Sequence, residues 1–246
     1  MKKVLIIGAT SAIASACARL WAGEHCEFFL VARSEEKLEL TAADLQARGA
    51  GRIHRYLMDA MAFDEHPRML GHCLDALGQI DIALIAHGTL PDQPQCEREV
   101  AVAIEQFNNN ATSVIALGTL LANHFERQRC GTLAVISSVA GDRGRGSNYL
   151  YGAAKAAVTT FCDGLQARLF KVGVHVVTIK PGFVDTPMTQ GLPLPGPLVA
   201  SPARVAQRIV QGISSRATTL YAPGFWALIM WVIRAIPQPL FKRLKL

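Results

Sequence analysis

The sequence lacks the cysteine patterns that stabilise secreted or metal-bound scaffolds. Its six cysteines, at positions 17, 26, 73, 96, 130 and 162, lie far apart and include no C-x-x-C pair. A disulfide-stapled scaffold or a structural zinc site needs closer spacing. We therefore expect reduced, mostly buried thiols, no metal site and a cytoplasmic protein.

Charged residues and long apolar runs are also scarce. Only 18% of the 246 residues are charged, although the net charge is +6 and the pI is near 9.1. The cations form no long run with interleaved aromatics, which argues against a nucleic-acid partner. The N-terminus resembles a signal peptide, but its strongly apolar part, residues 4–7, is shorter than the roughly 7 residues required. We interpret it as a first strand.

Short apolar runs alternate with longer helical stretches along the whole chain. Between the runs, segments such as 34–48 show helical spacing of apolar residues, with Ser34 in N-cap position. Strands that are apolar on both faces and separated by helices predict a parallel sheet covered on both sides. We expect one domain over 1–246, with an irregular loop at 186–202, where five of the twelve prolines lie. The seven runs are 3–8, 26–32, 52–58, 80–86, 131–137, 174–180 and 219–222.

The first run leads into a turn of the kind that binds a dinucleotide. In "VLIIGATSAIASACARL" a glycine allows the backbone to approach a pyrophosphate, and the following helix offers unpaired N–H groups. Gly8, Ala12 and Ala14 have the G-x-x-x-G-x-G spacing, but only the first glycine is kept. The predicted cofactor contacts of this turn are Gly8, Thr10, Ser11, Ala12 and Ile13.

The residues after the second strand favour NADP(H) over NAD(H). An NAD enzyme usually carries Asp or Glu here to hold the ribose hydroxyls, but this chain has Ala32, Arg33 and Ser34. A guanidinium pairs with a 2′-phosphate through two charge-assisted bonds. We expect Arg33 and Ser34 to contact the cofactor. An Arg33 that is only a solvated cation at the start of a helix is the alternative.

Two further strand ends carry candidate cofactor residues. Asp59 would accept a hydrogen bond from the adenine amino group, or would simply stabilise a turn. Ala86, His87 and Gly88 follow the fourth strand and would lie along the cofactor. A lone His at a strand end is more often packed or hydrogen-bonded than catalytic, so we expect no catalysis from His87.

The segment "SSVAGDRGRGSNYLYGAAK", residues 137–155, carries the candidate chemistry. Tyr151 and Lys155 are four apart and share a helical face, whereas Tyr149 faces elsewhere. A lysine cation at about 4 Å would lower the tyrosine pKa from about 10 by up to about 3 units, which suits proton transfer to a carbonyl oxygen. Ser138 would hydrogen-bond the same oxygen. The alternative is that this spacing arose by chance on a helix surface.

Together these residues resemble the short-chain dehydrogenases/reductases over essentially the whole chain. Ser138, Tyr151 and Lys155 match the family's Ser…Tyr-x-x-x-Lys constellation, and Asn110 in "FNNNATSV" matches its helix asparagine. The resemblance implies a Rossmann-type doubly wound, seven-stranded parallel sheet with helices on both faces. It also implies an enzyme that transfers hydride between nicotinamide and a carbonyl or secondary alcohol, and a homodimer or homotetramer.

The resemblance implies a role for each matched residue. Tyr151 would exchange the proton, Ser138 would orient the substrate oxygen, Lys155 would also bind the ribose hydroxyls, and Asn110 would link the lysine to solvent through a water. A cofactor-binding scaffold without catalysis is the alternative, since fold does not fix function. In "KPGFVDTPMT", the cofactor contacts implied are Pro181, Gly182, Val184, Thr186 and Met188.

Two stretches are similar to the decaprenylphosphoryl-2-keto-ribose reductases, which implies a keto-sugar on a polyprenyl phosphate; a 3-ketoacyl thioester is the rival substrate. The first stretch surrounds Arg143 and Arg145, which would hold a substrate phosphate unless Asp142 pairs with one of them in a structural turn. The second is the C-terminal tail, defined here as residues 223–246.

The tail combines aromatic residues with cations. It predicts a helix of about a dozen residues, too short for the roughly 20 needed to span a bilayer. Such a helix suits the interface of an anionic membrane, so we expect a peripheral contact with the inner face of the membrane. The alternatives are a cover over the substrate pocket or a subunit contact, and both are compatible with membrane contact. The residues concerned are Phe225, Trp226, Trp231, Arg234, Lys242, Arg243 and Lys245.

Overall fold

A computed structural model describes residues 1–244 and confirms all seven predicted strands; Lys245, named above in the tail, lies outside the described residues. The strands form one parallel sheet in the order β3-β2-β1-β4-β5-β6-β7. Their bounds are β1 Lys3–Ile7, β2 Glu27–Ala32, β3 Ile53–Leu57, β4 Ile82–Ile85, β5 Thr132–Ile136, β6 His175–Pro181 and β7 Thr219–Ala222.

Helices cover both faces of this sheet. Successive residues of one strand enter opposite cores: Val4 and Ile6 of β1 belong to one, Leu5 and Ile7 to the other. This alternation buries both faces and confirms the doubly wound fold. The helices are α1 Ala12–Ala22, α2 Glu35–Ala47, α3 His66–Leu77, α4 Gln93–Arg98, α5 Val100–Phe107, α6 Ser113–Gln128, α7 Tyr149–Phe170, α8 Pro202–Ser214, α9 Trp226–Ala235 and α10 Gln238–Phe241.

Strand β3 departs from the expected pattern of a strand that is apolar on both faces. It lies at the edge of the sheet, and neither of its faces is apolar along its whole length. Leu57 is exposed, and the other strand residues are partly or fully exposed. By contrast, Ser34 caps α2 as predicted, with its hydroxyl accepting from the amide of Lys37. The proline-rich stretch 186–202 consists mainly of turns, with one 3₁₀ turn at Gly196–Leu198.

The tail helix is shorter than expected. Helix α9 has 10 residues and ends before Ile236 and Pro237, after which α10 adds four more. No helix within residues 1–244 is both long and apolar enough to cross a bilayer. Of the six cysteines, five are buried and Cys130 is exposed, as expected for thiols that belong mainly to the core.

The strand order reverses direction at β1, whose neighbours are β2 and β4. In doubly wound sheets, ligands bind in the crevice outside the carboxyl ends of the strands at this switch point. The predicted residues at 8–13, 33–34, 59, 86–88, 138 and 181–188 all lie at or just after the carboxyl ends of strands. The sheet therefore brings them to one edge.

Candidate active site

The turn after β1 presses directly against the end of β4. Gly8 has φ +83°, and a Cβ added to it would lie 2.6 Å from the His87 amide nitrogen. Ala12 and Ala14 lie within α1 and do not share this positive φ, which explains why alanine is tolerated where the family's motif has glycine. Ser11 caps α1 by accepting from the amide of Ala14 at 3.2 Å. The half-buried Thr10, Ala12 and Ile13 complete this turn.

The donor groups of this turn fit a dinucleotide. A glycine held at positive φ, followed at once by the N-terminus of a helix, provides a close backbone approach and free amides for a pyrophosphate. Gly8 and Ala9 donate their own amides to the Val31 carbonyl, at 2.9 and 3.0 Å, which fixes the turn to β2. A nicotinamide dinucleotide would therefore bind with its pyrophosphate at the first turn of α1.

Arg33 lies exposed just after β2, and no carboxylate within residues 1–244 forms an ion pair with it. Its guanidinium is therefore available to an anionic ligand. Asp59 is exposed after β3, and its Oδ1 accepts from the amide of Met61 at 2.9 Å. This bond is the turn-stabilising alternative for Asp59; the adenine contact stays a prediction.

His87 is held as a neutral side chain beneath the crevice. The Ser113 hydroxyl donates to the Asn109 carbonyl at 2.8 Å, so it must accept from His87 Nε2, 2.8 Å away. The Nδ1 atom is then a buried acceptor without a partner. Burial, with a smaller effect of Lys155, lowers the pKa of His87 to about 3. It therefore remains uncharged near neutral pH.

Gly88 lies between Asn110 and Lys155. It has φ +153°, and an added Cβ would lie 2.9 Å from Asn110 Oδ1 and 3.5 Å from Lys155 Nζ. Asn110 is buried in a π-helical segment, Asn108–Thr112, between α5 and α6. Its Oδ1 accepts from the Thr89 amide at 3.0 Å. Such π segments often occur at functional sites, and here the segment places the amide beside the buried lysine.

Ser138, Tyr151 and Lys155 come together where β5 ends and α7 begins. Tyr151 lies close enough to Ser138 for the serine side chain to affect the pKa of its phenol, and Lys155 Nζ lies 5.6 Å from the centre of the Tyr151 ring. The same ammonium donates to the Ile136 carbonyl at the end of β5, at 3.3 Å. Asn110 lies near this ammonium, because Asn110 Oδ1 and Lys155 Nζ both border Gly88. The four predicted catalytic residues therefore form one cluster.

The pKa of Tyr151 differs from the expectation. Burial raises it to about 12, and the neighbouring Ser138 side chain opposes this shift. Burial also lowers the pKa of Lys155 to about 8. The expected lowering by Lys155 is therefore not what governs Tyr151, because surrounding protein disfavours the charged form of both groups.

Three residues that the sequence analysis missed hold Ser138 and α7 together. Ser137 donates to the Lys155 carbonyl at 2.9 Å. A Cβ on Gly141 would lie 2.7 Å from the carbonyl carbon of Lys155, and one on Gly152 would lie 2.9 Å from the Ala140 oxygen. The turn after Ser138 therefore packs backbone to backbone on the helix that carries Tyr151.

A buried ion pair, also missed, fixes the same turn from the other side. Lys180 Nζ lies 2.6 Å from Asp142 Oδ1, and the Tyr221 hydroxyl donates to Asp142 Oδ2 at 2.7 Å. The side chains of Lys180 and Asp142 are 8% and 3% exposed. A lysine at the end of an otherwise apolar buried strand was the signal available in the sequence, because such a charge needs a partner.

The segment after β6 lies under the tail. A Cβ on Gly182 would lie 1.9 Å from Trp226 Nε1 and would therefore overlap the indole. The Trp226 and Phe183 rings pack edge to face, with their centres 5.1 Å apart. Pro181 and Val184 are buried, Thr186 is half-buried and Met188 is exposed. Their contacts with a cofactor stay predictions. Trp226 is itself 2% exposed, so the tail covers this part of the crevice.

The two arginines of the loop have different surroundings. The Arg143 guanidinium donates to the carbonyls of Ile233 and Ile236, both at 2.6 Å, and stacks 3.8 Å above the Phe241 ring. Arg143 is therefore engaged by the tail and, in this arrangement, does not offer its guanidinium to a substrate phosphate as predicted. The alternative was also wrong in detail, since Asp142 pairs with Lys180. Arg145 is half-buried beside the tail.

Comparisons with known proteins agree with this geometry. A profile of the family described as short chain dehydrogenase matches residues 2–194. An uncharacterised oxidoreductase of Streptomyces coelicolor is 34% identical over 245 residues, covering 99% of this chain and 96% of that protein. An uncharacterised oxidoreductase of Mycobacterium tuberculosis is 33% identical over 243 residues, covering 98% of this chain and 96% of that protein.

Solved structures share the fold. Levodione reductase superposes with a TM-score of 0.84 at 21% identity, over 92% of this chain and 98% of its own. A protein described as a short chain dehydrogenase/reductase family protein gives a TM-score of 0.79 at 26% identity, over 90% and 95%. Family profile, relatives and sheet topology agree, and membership implies a nicotinamide cofactor. The chain belongs to the short-chain dehydrogenase/reductase family of oxidoreductases.

Proposed function

We propose that the chain is an NADP(H)-dependent reductase or dehydrogenase that interconverts a carbonyl and a secondary alcohol. The observation that carries this proposal is the cluster in which the buried Ser138 and Lys155 both lie beside Tyr151. A nicotinamide bound in the crevice would supply or accept the hydride. Tyr151 gives its proton to the substrate oxygen, and Ser138 orients that oxygen. The Lys155 ammonium supplies positive charge next to the phenol.

Replacing Tyr151 by Phe tests the reaction. General acid catalysis typically contributes on the order of 10²- to 10⁴-fold, so Tyr151→Phe should lower kcat by that factor and leave NADPH binding unchanged. Tyr149→Phe is the matched control, since that ring lies two residues away on the same helix and is 47% exposed. Wild-type turnover in Tyr151→Phe, or dinucleotide binding without turnover in the wild type, would favour the non-catalytic scaffold.

The preference for NADP(H) rests on Arg33. Its exposed guanidinium lies free of carboxylate partners within residues 1–244, at the strand end where a carboxylate would repel a 2′-phosphate. Arg33→Ala should raise the KM for NADPH by about tenfold or more and leave the KM for NADH nearly unchanged. Lys37→Ala, an exposed cation one turn along α2, is the control. Equal changes for both cofactors would assign Arg33 to the solvated surface.

The substrate we propose is a keto-sugar carried on a polyprenyl phosphate. The half-buried Arg145 and the apolar outer surface of α9 support it, because such a substrate combines a phosphate with a long apolar chain. A 3-ketoacyl thioester is the second candidate: the ketoacyl reductase HetN of Nostoc is 27% identical over 221 residues, covering 88% of this chain and 77% of that protein. NADPH oxidation measured with both substrate classes and with simple ketones decides between them.

The outer surface of α9 is also the basis for a proposed peripheral contact with an anionic membrane. Leu228 and Trp231 are 67% and 69% exposed, and the exposed cations Arg234, Lys242 and Arg243 follow in the same segment. Apolar and aromatic side chains beside cations suit the lipid interface.

Co-sedimentation with phosphatidylglycerol vesicles tests this contact. Trp231→Ser should reduce the bound fraction several-fold, whereas Phe170→Ser, a control at an 82% exposed aromatic on α7, should not. Equal binding of both variants would remove the membrane proposal. Size-exclusion chromatography of Trp231→Ser examines the alternative of a subunit contact and the proposed homodimer or homotetramer.

A further inference from the structure

Among the described residues, the guanidinium of Arg145 forms no ion pair. In that part of the chain its Nε atom is buried without a hydrogen-bond partner, and its Nη2 atom contacts the Met230 sulfur, a weak acceptor, at 3.7 Å. Within residues 1–244 no carboxylate forms an ion pair with it. Asp142 lies near enough to affect its pKa but is already bound by Lys180 and Tyr221. A desolvated, unpaired cation of this kind is costly unless an anion joins it.

Arg145 lines a cleft between the catalytic loop and the tail. The cleft encloses about 280 Å³, with Gly144, Arg145 and Gly146 on one side and Gln238, Phe241 and Lys242 on the other. A water molecule takes up about 30 Å³ of liquid, so the cleft has room for a group of several heavy atoms. No carboxylate side chain lines it within the described part of the chain. Its charge is positive on both sides.

The two glycines are not required by packing. A Cβ added to Gly144 or Gly146 would meet no atom within 4 Å, and neither residue has the positive φ that favours glycine. Because they have no side chains, they leave the backbone beside the cleft uncovered by any Cβ. Open backbone next to a guanidinium is a common way to bind an anion closely.

Arg143 holds the second side of the cleft in position. Its guanidinium binds the carbonyls at the end of α9, donates to Gln238 Oε1 at 2.9 Å and stacks on Phe241. These contacts place Gln238 and Phe241, and the adjacent Lys242, across from Arg145. One arginine of the loop therefore orders the cleft, and the other carries its unpaired charge.

We propose that this cleft binds a phosphate group of the substrate. Arg145 and Lys242 together offer two positive charges, which suit a phosphate, whether it is a diester of charge −1 that joins a sugar to a lipid or a monoester of charge near −2. The guanidinium fork can hold two phosphate oxygens at once. Lys242, exposed at the rim, adds a point charge.

The cleft is connected to the catalytic residues through a short chain of contacts. Val139 follows Ser138 directly and belongs to the same buried cluster as Met230, whose sulfur contacts Arg145. A phosphate bound at Arg145 would therefore lie one layer of side chains from Ser138. Its use by the reaction rests on the proposed function, whereas the binding site itself does not.

Calorimetric titration with glycerol 3-phosphate and with inorganic phosphate, without cofactor, tests the site. Arg145→Gln should weaken binding by about tenfold or more, and Lys242→Gln by a smaller factor. The control Lys171→Gln removes an exposed cation at the far end of α7 and should bind as the wild type does. Equal affinities in wild type, Arg145→Gln and Lys242→Gln would overturn the proposal.

The stability of Arg145→Gln provides a second measurement. Because Arg145 is an uncompensated charge, the variant should melt at the same temperature as the wild type or higher when phosphate is absent. Phosphate should raise the melting temperature of the wild type and not that of the variant. A variant that melts well below the wild type without phosphate would show an internal partner for Arg145 and contradict the proposal.

The source of the phosphate is distinguished with vesicles. If the phosphate belongs to a lipid, phosphatidylcholine vesicles containing phosphatidic acid should compete with glycerol 3-phosphate, whereas pure phosphatidylcholine should not. If it belongs to a soluble ester, neither should compete; both results support the site. Tyr151→Phe should bind phosphate as the wild type does. Loss of the proposed reaction therefore leaves this test intact, and loss of phosphate binding leaves the reaction intact.

Discussion

Asp142 and Lys180 form an ion pair of 2.6 Å that is almost completely buried. It joins the turn that follows Ser138 to the end of β6, and the Tyr221 hydroxyl on β7 adds a third contact. The catalytic turn is thus held between α7 on one side and two strand ends on the other. Such a turn can keep Ser138 in a fixed position relative to Tyr151, as preorganised catalysis requires.

We expect Asp142→Asn to destabilise the protein and to lower its activity. Removing one partner leaves the Lys180 ammonium buried without a counter-charge, which typically costs about 3–5 kcal/mol of the free energy of unfolding. Urea denaturation gives this value, and turnover reports on the position of Ser138. Glu39→Gln, which breaks an exposed pair with Arg55, should cost less than about 1 kcal/mol.

The double variant Asp142→Asn/Lys180→Met checks the cause. Removing the unpaired ammonium as well should recover part of the lost stability. If Asp142→Asn costs no more than Glu39→Gln, the pair does not hold the turn.

Lys155 makes the stability of the fold depend on pH. Its pKa falls from 10.5 to about 8 in the folded chain, because burial disfavours the ammonium. Between these values the unfolded chain binds more protons, so this lysine makes the free energy of unfolding rise with pH from about 8 to 10.5. Below pH 8 the full penalty, on the order of 3 kcal/mol, is present.

Lys155→Met should therefore be inactive and yet more stable than the wild type at pH 7, by about 1–3 kcal/mol. The difference between the two proteins should shrink as the pH rises toward 10.5. Urea titrations at pH 7, 8.5 and 10 measure the free energy of unfolding of each protein. The buried cysteines contribute equally to both, so their effect cancels when the two values are subtracted. Lys171→Met, at an exposed position, should show no such trend. A difference that stays constant with pH would contradict the shift.

The strands and the catalytic residues could be predicted because each leaves a local pattern. The run 26–32 is apolar at every position except Glu27, and Tyr151 and Lys155 have a spacing that only a helix turns into proximity. The contacts that place these groups have no such pattern. Asp142 meets Lys180 across 38 positions and Arg143 meets Ile233 across 90.

Residue types alone also gave wrong predictions where burial and packing determine what a side chain does. A lysine four residues from a tyrosine suggests a lowered tyrosine pKa, but the sequence does not reveal how much protein surrounds the pair. Likewise, two arginines beside a catalytic loop suggest two phosphate ligands, although one of them holds the end of α9. Both depend on tertiary packing, which a single sequence does not encode in local form.

Gly152 is required by the close contact between α7 and the turn after Ser138. A Cβ there would lie 2.9 Å from the Ala140 oxygen, so Gly152→Ala should cost about 1–3 kcal/mol and displace Ser138. We expect a lower kcat and a lower urea midpoint. Gly164→Ala is a matched control on the same helix, because a Cβ there meets nothing within 4 Å.

Helix propensity alone predicts that both glycine substitutions stabilise the protein, by about 0.5–1 kcal/mol. Only the packing contact predicts that Gly152→Ala lowers the free energy of unfolding while Gly164→Ala raises it. Stabilisation of both variants would show that the turn can retreat from α7 without loss.

Trp226 and Gly182 should behave as a coupled pair. The indole occupies the space that a side chain at residue 182 would need, at 1.9 Å, so Gly182→Ala must push the tail off the crevice. We expect this variant to lower the melting temperature and to expose Trp226, which shifts its fluorescence emission to longer wavelength. Trp226→Ala alone should cost about 3–5 kcal/mol through the cavity it leaves.

In the double variant Gly182→Ala/Trp226→Ala the new methyl enters space that the indole has vacated. Its loss of stability should therefore be smaller than the sum of the two single losses by about 0.5–3 kcal/mol, as for residues in direct contact. Because Gly182 belongs to the segment predicted to meet the cofactor, the same cycle measured with NADPH present tells whether the tail and the dinucleotide compete for this place. Additive losses would mean that Trp226 does not rest on Gly182 in solution, and the tail would then not cover the crevice.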